Sequence, residues 1–129
     1  IIKFVKKHQQ VMVQKFIPQI KYGDKRIFII GGIVVGAIKR IPQKNSIISN
    51  LAQGGRAVAT TLTNKEIQVA KIVAKKLKKN NIVFAGIDMI SNYLTGDINI
   101  TSPTGLKNFK DLTGIDLSIN FWNYLEKKN

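Results

Sequence analysis

A chain of 129 residues, 44% of them hydrophobic, is long enough to bury one moderate core, so one domain or part of one is expected. It contains no run of roughly 18 apolar residues, which excludes a transmembrane helix, and no cysteine, which excludes a disulfide framework and thiolate chemistry; a cytoplasmic protein fits. The net charge of +14 raises nucleic acid as a partner, but the lysines are spread along the chain, and the densest group (Lys71, Lys75, Lys76, Lys78 and Lys79) belongs to the exposed side of one predicted helix.

The opening IIKFVKKHQQ is too short and too charged for a signal peptide and reads as the end of a helix entering from an upstream region. His8, the only histidine, has no Cys or carboxylate beside it and reads as a surface residue. Residues 11–17 (VMVQKFI) are apolar and β-rich up to Pro18 and predict a strand. After Gly23-Asp24, residues 25–30 (KRIFII) and 33–40 (IVVGAIKR) flank the Gly31-Gly32 pair and predict an antiparallel hairpin. Residues 41–56 carry Pro42, a polar cluster and Gly54-Gly55 without regular periodicity, and an irregular loop of that length is usually functional or disordered.

Residues 63–80 predict the clearest helix: Thr63 and Glu66 form a capping box, and Ile67, Ala70, Ala74 and Leu77 recur on one face with Val73 beside them. Residues 82–90 and 93–100 predict a second hairpin, turning at Ser91 and Asn92 and broken afterwards by Ser-Pro-Thr-Gly. Asp97 and Asn99 share one face of the second strand, and closure near residues 91–92 brings Asp88 opposite them. Three converging oxygen side chains suit a hard cation such as Mg²⁺, while a turn cap and a solvated strand edge satisfy the same pattern. Thr113–Asp116 is a second possible capping box, leading into a C-terminal helix whose stripe is Ile115, Ile119, Trp122 and Leu125, with Trp122 read as core. The expected architecture is α+β, an antiparallel sheet of about five strands with two helices packed on it. No P-loop and no Rossmann glycine fingerprint occurs, and Ser102 and Thr104 lack the neighbouring base that nucleophilic catalysis requires.

The string AGIDMI followed by YLTGDINITSPTG resembles the C-terminal metal-binding hairpin of prokaryotic glutathione synthetases, ATP-grasp ligases whose usual form is G-x-D-x-I…LTE-[IV]-N-[VI]-TSPTG. QKFIP with GDKR, then KRIPQ, then SNLAQGGR match in the same order, so the resemblance runs from about residue 11 to 128. It implies that residues 1–129 form the C-terminal part of an ATP-grasp domain, with the upstream lobes absent, since family members are more than twice this long. It further implies ATP- and Mg²⁺-dependent (or Mn²⁺-dependent) joining of γ-glutamylcysteine to glycine through an acyl phosphate, in a homo-oligomeric enzyme.

Carried over by resemblance, Asp88, Asp97 and Asn99 hold the metal, and Gln14, Lys15, Phe16 and Ile17 lie along the adenine. Asp24 takes the ribose hydroxyls, and Arg26 and Arg40 face the transferred phosphate and the acceptor peptide as catalytic groups. Asn50, Gly54, Gly55 and Arg56 belong to a mobile lid over residues 41–56. Of the 21 Lys and Arg, only Arg26, Arg40 and Arg56 are arginine, and all three fall inside these matches, where a planar fork binds phosphate or carboxylate bidentately. The chain departs from the pattern in three places: Asp97 replaces the usual Glu with Gly96 inserted beside it, Ile48 stands where the lid often carries Arg, and the hairpin turn at residues 31–32 is one residue shorter. The alternatives are another ATP-grasp carboxylate–amine ligase and a basic nucleic-acid-binding module, the latter disfavoured by the lack of clustered aromatic and basic residues.

Overall fold

The computed structural model describes residues 13, 15–44, 49, 51 and 54–127. A short 3₁₀ helix (Pro18–Tyr22) leads into β1 (Asp24–Ile30), β2 (Ile33–Ile41) and β3 (Arg56–Ala59), then α1 (Asn64–Lys79), β4 (Phe84–Ile90), β5 (Tyr93–Asn99), α2 (Leu106–Thr113) and α3 (Leu117–Glu126). The strands form one antiparallel sheet in the order β3-β2-β1-β4-β5, giving the expected α+β architecture with β1 at its centre.

Successive side chains of a strand point to opposite faces, and here both faces are covered, so β1 reads as a continuous apolar run. One face gathers Ile27, Ile29, Ala37, Ala85, Ile87 and Met89 against Ala70, Ala74 and Leu77 of α1. The other packs Phe28, Ile30 and Ile38 against Phe109 of α2 and Leu117 of α3, with Phe28 and Phe109 edge to face at 5.9 Å. Each fully buried Ile or Phe contributes about 1.5–3 kcal/mol, which makes β1 the element least tolerant of polar substitution.

The predicted capping box of α1 is formed: Thr63 Oγ1 accepts from the Glu66 amide at 3.2 Å, and Glu66 Oε2 accepts from the Thr63 amide at 2.7 Å. Glu66 is buried, and Lys25 Nζ of β1 lies 2.7 Å from the same Oε2, so the cap also ties α1 to the sheet.

Two expectations are corrected. The fifth strand is Arg56–Ala59, paired with β2, and not residues 11–17: Val13, Lys15, Phe16 and Ile17 carry no strand, and Pro18 opens the 3₁₀ turn directly after them. Among the described residues, three helices replace the expected two. Thr113 ends α2 instead of capping a helix, Gly114 turns the chain with φ 75°, and Asp116 caps α3 by accepting from the Ser118 amide at 3.0 Å. With α3 thus begun at Leu117, the inward side is Leu117, Phe121 and Tyr124, while Ile115, Ile119 and Trp122 are 55%, 58% and 60% exposed. The reading of residues 1–10 and of His8 lies outside the described residues.

Candidate functional site

One end of the sheet face shared with α2 and α3 carries charge instead of apolar side chains. Two ladder irregularities assemble it. Along β1 and β2, Ile29 pairs with Val34 but Phe28 pairs with Gly36, so Val35 is an extra residue; beyond it Arg26 faces Ile38 and Asp24 faces Arg40. Along β4 and β5, Met89 pairs with Leu94 but Ile87 pairs with Ile98, leaving Asp88 opposite residues 95–97 and Asn99 opposite Gly86. On its other side Asp88 faces Arg26. A further close approach fixes the near end: a Cβ on Gly23 would lie 2.1 Å from the Arg40 carbonyl oxygen, so only glycine lets the chain enter β1 with Asp24 beside Arg40.

The result is an alternating row of charges. Arg40 grips Asp24 with Nε at 2.8 Å from Oδ1 and with Nη2 on Oδ2, and the same Nη2 lies 2.8 Å from Asp88 Oδ2. Arg26 grips Asp88 from the other side, Nε to Oδ1 at 2.5 Å and Nη2 to Oδ2 at 2.9 Å, and its Nη2 is 3.6 Å from Asp97 Oδ2. Asp24, Arg26, Arg40 and Asp88 are all buried; Asp97 is the open end, with its side chain 58% exposed.

Burial raises the Asp88 carboxyl, but the Arg26 hydrogen bond and the charges of Arg40 and Arg26 outweigh it and hold Asp88 below the usual carboxylate range. Asp97 is held above that range, by desolvation and by the hydrogen bond and charge of Asp88 beside it, only partly offset by the two arginines. Burial lowers the Arg40 guanidinium, and its contacts with Asp24 and Asp88 raise it further than burial lowers it.

Of the residues singled out from the sequence, Asp24, Arg26, Arg40, Asp88 and Asp97 come together in this row. Asn99 adjoins it, but its Oδ1 accepts from the Thr101 and Ser102 amides at 3.2 and 3.1 Å and thereby shapes the turn after β5. Lys15, Phe16 and Ile17 line a cavity of about 340 Å³ together with Pro18, Gln19 and Tyr93. Tyr93 had no sequence signal, because its approach to the 3₁₀ helix is a tertiary contact. Gly54 turns with φ 89° and Gly55 leads into β3. Arg56 pairs with Ile41, one position out of step with Arg40, so it starts from the opposite face and is not brought to the row. Gln14, Asn50 and Ile48 lie outside the described residues.

The family profile described as "Prokaryotic glutathione synthetase, ATP-grasp domain" matches residues 1–114. The chain belongs to this family. Among its relatives, the glutathione synthetase of Rhodopseudomonas palustris is 39% identical over 117 residues, covering 91% of this chain and 37% of that protein. That of Synechocystis is 41% identical over 120 residues (93% and 37%), and that of Prochlorococcus marinus 46% over 108 residues (84% and 35%). The chain thus spans little more than a third of the relatives' length.

Within this ATP-grasp domain the exposed end of the charged row fits a hard divalent cation. Two neighbouring carboxylates, one of them made reluctant to ionise by the other, are the arrangement such a cation relieves. Among the described residues no group of three His, Cys, Asp or Glu that could by itself hold a metal ion gathers.

Proposed function

We propose that these residues form the phosphate and metal end of a glutathione synthetase site, part of a cytoplasmic, homo-oligomeric enzyme that joins γ-glutamylcysteine to glycine at the expense of ATP. The observation that carries this reading is the Asp88–Asp97 pair beside two fixed guanidinium groups. The five ionised side chains of the row carry one net negative charge, which by itself repels a polyphosphate. A bound Mg²⁺ or Mn²⁺ would reverse that sign and neutralise phosphate charge as it develops, with Asp88 and Asp97 as its ligands and Asn99 joining them if its amide leaves the turn.

The protein's own contribution is positioning and fixed charge. Gln14, Lys15, Phe16 and Ile17 take the adenine, and Asp24 takes the ribose hydroxyls through the lone pairs that Arg40 leaves. The γ-phosphoryl group passes to the γ-glutamylcysteine carboxylate and ADP departs; the glycine amine then attacks the acyl carbon and phosphate leaves. Negative charge builds in both steps within reach of Arg26 and Arg40, which are held by their aspartates and need no reorganisation. Residues 41–56, with Asn50, Gly54 and Gly55, close over the acyl phosphate and keep water from it, while Arg56, on the other face, anchors the end of the loop in β3.

The test is Asp97→Asn in a chain of the relatives' full length that carries these residues. Loss of the ligand's charge lowers turnover at saturating Mg²⁺ by roughly 10²-fold or more. Near-normal turnover removes Asp97 from the site. Glutamate in place of glycine as the acceptor distinguishes another carboxylate–amine ligase.

A further inference from the structure

We infer that Gly86 is a positioning residue for Arg26. Gly86 lies in the middle of β4, between Phe28 of β1 and Asn99 of β5, on the same face as Asp88. A glycine inside a strand weakens it and needs a reason. Its φ is outside the left-handed region, so the backbone would accept any residue; space is what forbids a side chain. A Cβ at this position would lie 2.9 Å from Arg26 Cδ, 3.1 Å from Arg26 Nη1 and 3.1 Å from Pro103 Cβ.

Those three distances define a slot. The Arg26 side chain crosses β4 over the bare backbone of Gly86, with Pro103 as its roof. The roof is held by the turn that Asn99 organises: Oδ1 accepts from the Thr101 and Ser102 amides, and Nδ2 donates to the Ser102 carbonyl at 3.4 Å. Inside the slot Arg26 directs Nε and Nη2 at Asp88, while Nη1 is buried with no hydrogen-bond partner among the described residues. A guanidinium free to choose would not leave a buried donor unpaired, so its orientation is imposed by the slot and not found by hydrogen bonding alone. A methyl group at position 86 lifts Cδ, turns the fork off Asp88 and moves Nη2 away from Asp97.

The inference rests on the ligase reading only for its activity readout, and a double-mutant cycle separates the two. In a full-length chain carrying these residues, Gly86→Ala is expected to lower kcat at least tenfold while KM for ATP stays within about threefold. In an Arg26→Ala background, where Cδ and Nη1 are gone, the same change is expected to cost less than about twofold further. Multiplying effects overturn the inference, and so does a Gly86→Ala enzyme with near-normal kcat. If Gly86→Ala alone fails to fold, recovery of folded protein in the double variant supports the slot and failure of both overturns it. If Arg26→Ala leaves turnover unchanged, the ligase role of Arg26 falls, and melting midpoints carry the cycle: independent shifts overturn the inference and coupled shifts sustain it.

Discussion

Asp88 is the residue on which both arginines converge, and its ionisation is tied to folding. A carboxyl lowered in the folded state contributes stability above its unfolded value near ~3.9, and that contribution is lost as pH falls through the lower folded value. Asp88→Asn, which leaves two buried guanidinium groups short of charge, is expected to cost about 3 kcal/mol at neutral pH, with the gap to the parent closing as the solution becomes acidic. Thermal melts of both proteins from pH 7 downwards check it, using ~1-unit steps; a gap independent of pH would mean that Asp88 is not ionised in the fold. Arg40 tests the fork. Lysine there keeps the charge but cannot hold Asp24 and Asp88 together, so Arg40→Lys in a full-length chain is expected to lower ligase turnover roughly 10²-fold, and an unchanged rate would leave Arg40 a structural role alone.

Among the elements, α1 depends most visibly on local signals. Thr63→Ala removes the acceptor for the Glu66 amide and is expected to cost about 1 kcal/mol, roughly 4 °C in the melting midpoint. No change would mean that the Lys25–Glu66 pair holds that end of the helix by itself. The same element shows why some of the fold was legible. A cap at Thr63, a stripe of Ala70, Ala74 and Leu77, and the paired turns at residues 31–32 and 91–92 are written within a few residues of chain. By contrast, α2 begins at Gly105 without a side-chain cap and buries only Phe109, so it announces neither start nor stripe. Trp122 lies exposed and not in the core for a related reason, since apolar spacing alone does not say which side of α3 meets the sheet. In the site, Asp88, Asp97 and the arginines were legible as types in a motif, whereas the grip of Arg40 on Asp24 depends on a register that no local signal records.

At the scale of the whole molecule, the charged row of the proposed site lies along one end of a single sheet, with Asp97 facing outward. Catalysis of the joining reaction requires both reactants to be fixed against each other, and an open face supplies little of that. We therefore expect the polypeptide of residues 1–129, assayed by itself with ATP, Mg²⁺, γ-glutamylcysteine and glycine, to show no glycine-dependent ADP release while still binding Mg·ATP weakly. Turnover within about tenfold of a full-length relative would require a site completed within these residues or by a second copy. No helix among the described residues is long and apolar enough to cross a membrane.

The two ladder irregularities differ in one respect that bears on how this gene segment can change in length. β2 gains one residue at Val35 and β5 gains two across from Asp88. The extra residues stand outside the ladder, so the paired residues on either side keep their partners and faces whether or not the extra ones are present. Deleting Val35 would make that ladder regular and leave Phe28 opposite Gly36 and Asp24 opposite Arg40, and trimming residues 95 and 96 would bring Asp97 directly opposite Asp88. Each strand should therefore tolerate loss of its own surplus, one residue in β2 and two in β5, a reading frame set by the sheet and not by the codons.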